Sequence, residues 1–396
     1  LNPFILRGNS ASNLTAVYDT LTVNSSDEPF SVYGLLAESI EVDPERNWVR
    51  FQLREDARFH DGEAVQADDV VFSFETLTTE GHPNFRLYYA DILAAVAEGP
   101  RTVRFDLADP DNRELALIIG QLPVLPAHAW AGRDFTRTTL EPPLGSGPYR
   151  VASVDQGRQI TYERVADYWG RDLAVNRGRY NLDTIRIDYY RDDDVAVEAV
   201  KADAYDLRYE NIARNWATAY DTAAVRDGRL RLVEISHQRP TGMQAFMINT
   251  RLPKFADPRV REALGYAFDF ESTNEAIFYG AYTRTESMYS NSDLAARGEP
   301  SEGERAILEP FRDQLPASVF GDAWRARRTD TAGGIRGNLR QALALLAEAG
   351  WLIRDGRLQH AESGEVMTLE FLLQGQSFNR VVSRYQPNLE RLGIES

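Results

Sequence analysis

The 396-residue sequence contains no cysteine. This absence excludes disulfide frameworks, thiolate nucleophiles, thiolate zinc sites and iron–sulfur clusters. The sequence also lacks any run of about 18 apolar residues, which a membrane-spanning helix requires. Basic residues are in the minority, with 44 Lys and Arg against 60 Asp and Glu, and the formal net charge is −16. A protein that neutralises phosphates needs the opposite sign, so we expect no nucleic-acid partner.

Motifs for cofactors and metals are missing as well. No GxGxxG follows a strand-like segment and no phosphate-binding P-loop occurs, so the sequence contains neither of these nucleotide-binding motifs. The three consecutive acids at 192–194 lack the alternate spacing and central glycine of a calcium loop, and they suit a helix N-terminus better. The histidines occur singly, without an HxxxH pair: His60, His82, His128, His237 and His360. We predict no cofactor and no metal site.

Periodicity predicts both strands and helices. Apolar and polar residues alternate with period two in four segments, which is typical of half-buried strands. Three apolar stripes follow acidic or Asp-Pro starts or end at a glycine, which is typical of helices. The predicted strands are 48–54, 102–107, 159–164 and 184–190, and the predicted helices lie around 68–77, 257–268 and 339–349. Interleaved helices and consecutive strands together indicate a mixed α/β or α+β fold.

Two short motifs invite a catalytic interpretation. A nucleophile elbow has the form GxSxG and leads into a helix, whereas Ser146 has glycines on both sides and is followed by Pro148. His60 stands beside Asp61, but Asp-Gly at 61–62 is a strong turn signal. Both motifs therefore favour turns, and we predict that the protein is not an enzyme. A carboxylate pair of a glycosidase stays open, because 60 acids offer too many candidates.

Aromatic residues are plentiful, with 18 Tyr, 18 Phe and 6 Trp. Most of them are expected in the core. Their surplus beside polar groups also suits a wet ligand cleft, because Tyr and Trp combine flat contact area with a hydrogen-bonding tip. The clusters are at 88–89, 189–190, 211–220 and 278–282.

Several segments, in order along the chain, resemble the family 5 extracellular solute-binding proteins of bacterial ABC importers. The family-like segments are GLLAES at 34–39, FQLREDARFHDG at 51–62, ADDVVFSF at 67–74, GSGPY at 145–149, AYD at 204–206 and DPRVREAL at 257–264. A finer resemblance is to the YejA-type oligopeptide-binding branch. Its segments are NWATAYD at 215–221, RPTGMQAF at 239–246 and AFDFE at 267–271.

The resemblance implies a periplasmic-binding-protein-like fold of two lobes. Residues 1–33 and 142–245 would form the first lobe, with an inserted subdomain at 34–141, and 246–396 would belong to the second lobe. GLLAES would form a helix, and 243–249 would be a crossover strand between lobes. Because the sequence begins without Met, we expect an internal segment, with a leader and a first strand before it and about a third of the protein after it. The second lobe would then be truncated.

The resemblance also implies a function. The protein would capture peptides, including cell-wall or antibiotic peptides, by closing its lobes, and would deliver them as a periplasmic monomer to the permease subunits of an ABC importer. A metal chelate or an oligosaccharide as cargo, or a hydrolase activity, are the alternatives.

Site residues follow from the same resemblance. The stretch after LNP would run beside the ligand as extended backbone, which here places Arg7, Gly8 and Asn9, followed by Ser10, in contact with a peptide main chain. Arg7 could also meet a carboxylate. The remaining candidates for ligand contact are Asn211, Trp216, Gln244 and Phe246.

Overall fold

The computed structural model describes residues 1–25, 28, 30–373 and 378–396. The chain divides into two compact units, Leu1–Asp192 and Asp193–Ser396. Helices and sheets both occur, so the mixed α/β class predicted from periodicity is confirmed. Among the described residues, no helix combines the length and the apolar character needed to cross a bilayer.

The first unit contains most of the strands. Its elements, in chain order, are β1 (Thr22–Asn24), β2 (Val32–Gly34), β3 (Ala37–Val42), β4 (Trp48–Leu53), α1 (Ala67–Thr79), α2 (Pro83–Tyr88), β5 (Ile92–Gly99), β6 (Thr102–Leu107), α3 (Leu115–Gly120), α4 (Ala127–Trp130), β7 (Tyr149–Asp155), β8 (Gln159–Arg164) and β9 (Thr184–Asp188).

The largest sheet of this unit among the described residues is antiparallel and has the order β3-β4-β6-β5. Alternate residues of β4 and β6 are buried, as their period-two patterns predict. Phe51 of β4 and Phe105 of β6 are fully buried and meet edge to face, with ring centroids 5.9 Å apart. Helix α1 packs against β5 and β6, and its buried Phe74 lies 5.8 Å from the ring of Phe105. The predicted amphipathic helix thus covers the apolar face of the sheet.

The expected helix at GLLAES is wrong. Residues 37–42 form strand β3, which pairs with β4 through a bulge near Ala37. The amides of Leu35 and Ala37 both donate to the carbonyl of Leu21, at 3.0 Å each. Because these amides bond to a distant part of the chain, they cannot form the local ladder of a helix.

The second unit is mainly helical. Its elements are α5 (Asp193–Lys201), α6 (Ala213–Thr218), α7 (Ala223–Arg226), α8 (Pro258–Ala267), α9 (Phe270–Phe278), α10 (Glu302–Leu308), α11 (Gly334–Glu348), β10 (Trp351–Arg354), β11 (Arg357–His360) and α12 (Asn379–Arg391).

Helices α8 and α11 pack together at the larger core of the second unit. Asp257 begins α8 as predicted, because its side chain accepts a hydrogen bond of 2.8 Å from the amide of Arg259. Leu346 and Ala342 of α11 and Val260 of α8 are completely buried. A separate, smaller cluster joins α5 to Tyr220.

The predicted crossover strand at 243–249 is not formed. Residues 229–249 have no regular secondary structure, and within the described part of the chain no strand pairs with 243–249. A strand needs backbone hydrogen bonds to a neighbouring strand. Without that neighbour, the alternate apolar side chains of this segment do not form the buried face of a sheet. Met247 is accordingly 90% exposed.

The division into lobes stays a prediction. The boundary between the compact units follows Asp192. The two turn-rich segments taken as junctions, 141–148 and 239–242, each lie inside one unit.

Candidate ligand-binding site

The GSGPY loop is a structural turn in the first unit. A Cβ atom on Gly145 would lie 2.0 Å from the carbonyl oxygen of Val17, and one on Gly147 would lie 2.6 Å from that of Ala16. Both glycines are therefore required by the close approach of two backbones. Ser146 between them is fully buried, and its Oγ accepts a hydrogen bond from the amide of Asp19. A buried hydroxyl that is already hydrogen-bonded cannot act as a nucleophile, which agrees with the turn predicted from the glycines on both sides of Ser146.

Sequence analysis missed a buried carboxyl group next to this turn. Asp19 is 3% exposed and accepts hydrogen bonds from the Tyr168 hydroxyl and from Nε1 of Trp169, both at 3.0 Å. Burial raises the pKa of Asp19 to about 7, although these hydrogen bonds favour its ionised form. No spacing in the sequence signals this group, because its partners follow about 150 residues later. The network ties the amino-terminal segment to the chain that follows β8.

The His-Asp motif separates into two contacts. Nε2 of His60 lies 2.8 Å from the carbonyl oxygen of Gly147, and burial lowers the pKa of His60. The carboxylate of Asp61 instead lies 2.8 Å from Nε2 of His128. His60 therefore holds the GSGPY loop in place and does not form a pair with Asp61.

The predicted ligand segment of the first unit is an exposed loop fixed at both ends. At one end the buried Phe4 ring packs edge to face on Tyr18 at 5.0 Å. At the other end the amide of Ser12 donates to the Tyr189 hydroxyl at 2.8 Å, and its carbonyl accepts from Tyr162 at 2.6 Å. Among the described residues, no backbone group of 6–10 makes a hydrogen bond. These donors and acceptors remain available to a ligand.

Arg7, Gly8 and Asn9 all lie in this loop and are exposed. The expected extended backbone is only partly present, since 5–8 form bends and Gly8 has a φ of +80°. A non-glycine residue is rarely stable at that angle, which makes Gly8 the turning point of the loop. In the described part of the chain Arg7 forms no ion pair, so its guanidinium is free for an anion.

In the second unit, Asn211 and Trp216 lie around the start of α6. The Trp216 amide donates to the carbonyl of Ile212, and its side chain is 37% exposed. The carbonyl of Asn211 is 3.5 Å from the hydroxyl of Tyr282. The side chain of Asn274 in α9 accepts a hydrogen bond from the backbone amide of Tyr282 and donates one to the backbone carbonyl of Tyr282. The predicted aromatic cluster at 278–282 is therefore joined to that at 211–220.

Gln244 and Phe246 lie elsewhere in the second unit. Gln244 is exposed and makes no hydrogen bond within the described residues. The Phe246 ring packs edge to face on Phe371 at 5.1 Å and stacks near Tyr385 at 6.3 Å. The hydroxyl of the buried Tyr385 donates to the carbonyl of Leu264. Phe246 thus contacts aromatic rings of the larger core while remaining 36% exposed, and Gln244 keeps a free side chain.

Arg284 is a second residue that sequence analysis missed. Its guanidinium carbon lies over the rings of Phe268 and Phe270, at 5.1 and 5.4 Å from their centroids. Its Nη1 atom is buried without a hydrogen-bond partner. The only sequence signal is its place directly after the aromatic cluster at 278–282.

Metal ligands are not grouped in the described part of the chain, where no set of three or more His, Asp or Glu side chains could hold an ion. Asp193 and Asp194 at the start of α5 instead lie 3.3 Å from Arg208 and 2.6 Å from Arg214. These acids act as ion-pair partners at a helix N-terminus.

Comparison with known proteins gives a family match over most of the chain. The sequence profile described as "Bacterial extracellular solute-binding proteins, family 5 Middle" matches residues 31–396. A protein named "Probable peptide-binding protein YejA" from Agrobacterium fabrum is 40% identical, with 100% of this chain and 66% of the relative covered. "Uncharacterized protein YejA" from Escherichia coli is 42% identical, over 99% and 65%. "Peptidoglycan-binding protein YepA" from Agrobacterium fabrum is 36% identical, over 100% and 67%. The chain spans about two thirds of the length of these curated relatives.

Solved structures share the fold. The Brucella suis protein NikA in complex with Fe(III)-EDTA superimposes with a TM-score of 0.70 at 20% identity, covering 100% of this chain and 71% of its own. The oligopeptide-binding protein AppA of Bacillus subtilis, in complex with a nonapeptide, gives a TM-score of 0.68 at 22% identity, covering 98% and 69%.

Proposed function

This chain belongs to the family 5 bacterial extracellular solute-binding proteins, and from that premise we propose that it is the larger part of a peptide-binding component of an ABC importer. The whole protein would capture a peptide reversibly and release it unchanged to a permease. The observation that carries the proposal is the 40% identity to a relative named as a probable peptide-binding protein over the full chain.

The exposed loop around Arg7, Gly8 and Asn9 supports a peptide as cargo. Unpaired backbone donors and acceptors can bind a peptide main chain whatever its side chains, which gives broad specificity. The loop is anchored at Phe4 and Ser12, so little ordering entropy remains to be lost on binding. Asn211, Trp216, Gln244 and Phe246 are the proposed contacts of the second unit.

Binding without catalysis is the proposed chemistry. The two motifs that could carry a nucleophile or a base, at Ser146 and His60, are engaged in holding the GSGPY loop. We propose that closure of the lobes at 1–245 and 246–396 stabilises the bound state through its higher affinity for ligand. The protein would act as a monomer in the periplasm, without a nucleic-acid partner or a cofactor.

Mass spectrometry of the ligand that co-purifies with the full-length protein tests this function. We expect peptides, including peptides with cell-wall composition. Calorimetric titration with a random peptide pool, a disaccharide panel and nickel separates the alternatives. Heat of binding from sugar or nickel alone would replace the peptide assignment, and turnover of labelled peptide would replace binding by hydrolysis.

A further inference from the structure

Arg284 in the second unit carries a charge that the described residues leave unpaired. Its Nη1 atom is buried without a partner, and in the described part of the chain its guanidinium forms neither a hydrogen bond nor an ion pair. Burying an arginine without a hydrogen-bonded anion is costly, and native proteins rarely do so. Arg284 is only partly buried, so its other donors, on the Nε–Nη2 edge, are the ones that an acceptor from outside these contacts can reach.

The two carboxylates whose fields act on Arg284 are engaged by other groups. Glu271 accepts from the amide and hydroxyl of Thr329, at 3.0 and 2.8 Å. Glu286 accepts from Arg325 at 2.7 Å and from the amide of Ala326 at 3.1 Å. Burial lowers the pKa of Arg284, while the fields of Glu271 and Glu286 oppose this effect. Glu271 and Glu286 therefore favour the charged form of Arg284 through their electric fields, but they accept no hydrogen bond from its guanidinium.

The shape of the surroundings restricts what can bind. The rings of Phe268 and Phe270 lie against the guanidinium. Of the three guanidinium nitrogens, only Nη1 is a buried atom without a partner. The Nε–Nη2 edge presents two parallel N–H donors, and this geometry matches the two oxygens of a carboxylate.

We propose that Arg284 binds a carboxylate group of the captured peptide and selects for ligands with a free carboxyl end. This inference rests on the proposed peptide-binding function and names a specificity-determining residue within it. Arg284 would supply two charge-assisted hydrogen bonds from an edge already positioned by the aromatic rings.

The test uses the full-length protein and an equimolar pool of random tetrapeptides, half with a free carboxyl terminus and half amidated. Retained peptides are released and identified by mass. We expect the wild type to enrich free acids over amides by about tenfold or more, because charge-assisted hydrogen bonds are the strong ones. Arg284→Gln should bring the ratio to about one, and Arg284→Lys should leave an intermediate ratio, because lysine keeps the charge but loses the fork.

Arg312→Gln is the matched control. It removes the same charge from an exposed arginine of the second unit that is paired with Glu309. It should keep the wild-type ratio. If Arg284→Gln does not fold, judged by circular dichroism, the comparison of Arg284→Lys with wild type decides, and an unchanged ratio contradicts the proposal.

The possible results distinguish failure of the proposed role of Arg284 from failure of the proposed peptide-binding function. Peptides retained without an acid preference, or a preference that survives Arg284→Gln, would overturn the role of Arg284 and leave peptide binding intact. A lowered melting temperature of Arg284→Gln with an unchanged ratio would assign Arg284 to an ion pair within the protein. Retention of neither peptide class would overturn both proposals.

Discussion

Among the residues that the structure describes, the first unit is built around one continuous core, whereas the second has two separate cores with long exposed segments between them. In the first unit, the four-stranded and three-stranded sheets share buried residues with the amino-terminal segment, from Phe4 to Tyr162. In the second, α8, α11 and α12 form one core and α5 with Tyr220 another, and the residues from 231 to 247 are exposed throughout.

This difference matters for binding. The predicted ligand loop of the first unit is short and is anchored by the buried Phe4 ring at one end and by hydrogen bonds of the Ser12 backbone at the other. Most of the predicted contacts of the second unit lie in segments whose side chains are exposed. We infer that the first unit presents a nearly rigid surface and that the second has more freedom to adapt, because low local burial accompanies easy local opening.

The largest expected effect comes from truncating the sheet core. Phe51→Ala removes a fully buried ring that packs on Phe105 and should lower the free energy of unfolding of the first unit by about 3–5 kcal/mol. Hydrogen exchange resolved by mass spectrometry would measure this as lost protection over 48–107. Protection of α8 in the second unit should persist, and its equal loss would show that the units do not unfold independently.

Asp19 should give the first unit an unusual pH dependence. Burial raises its pKa from 3.8 to about 7, so between these values the folded state binds the proton more tightly than the unfolded state. Stability from this group is complete below the unfolded pKa and is lost as the pH rises through about 7. At about 1.4 kcal/mol per pKa unit, the loss is at most roughly 4 kcal/mol.

Asp19→Asn should remove that loss. Urea unfolding of both proteins from pH 4 to 8 measures the difference between their profiles. Burial lowers the pKa of His60, so His60 makes the free energy of unfolding change with pH in the opposite direction. Both proteins contain His60, and subtracting one profile from the other removes its contribution. Parallel profiles would contradict a protonated, buried Asp19.

A smaller effect is expected at the start of α8. Asp257→Ala removes the acceptor for the Arg259 amide and should cost about 1 kcal/mol. Protection of α8 against hydrogen exchange reports this loss. Ser301→Ala removes the matching cap of α10, a helix with no buried residue, and should leave protection of α8 unchanged. A shared loss would mean that the exposed helix is coupled to the core.

The smallest effect is expected in the exposed segment. Ile235 is 79% exposed, and Ile235→Ser should change the free energy of unfolding by less than about 0.5 kcal/mol. Urea unfolding measures it, with Leu346→Ala in α11 as a buried control that should cost about 2–5 kcal/mol. A large effect at Ile235 would show that this segment is covered in solution.

Sequence patterns predicted the regions where local periodicity and burial agree. Thr102–Leu107 and α8 follow their patterns closely, because one face of each is buried along its length. GLLAES was assigned wrongly because the amides of Leu35 and Ala37 bond to Leu21, a contact that no local pattern records. Residues 243–249 alternate like a strand but have no partner strand among the described residues.

The site was less accessible to prediction than the fold. Arg7, Gly8 and Asn9 were located by resemblance, and their free backbone groups became visible only with the anchors at Phe4 and Ser12. Asp19 and Arg284 could not be found from spacing. Their character comes from desolvation by distant segments, such as the chain around Tyr168 for Asp19.

The most direct test of the central claim is to incubate the full-length protein with a peptide pool and to measure the masses of the retained peptides by mass spectrometry. If the protein binds and releases peptides unchanged, the released peptides will have the masses they had before incubation, and depletion of the pool will match the amount bound. Fragments with new termini, or a pool that passes through without retention while a sugar or metal complex is held, would contradict the account.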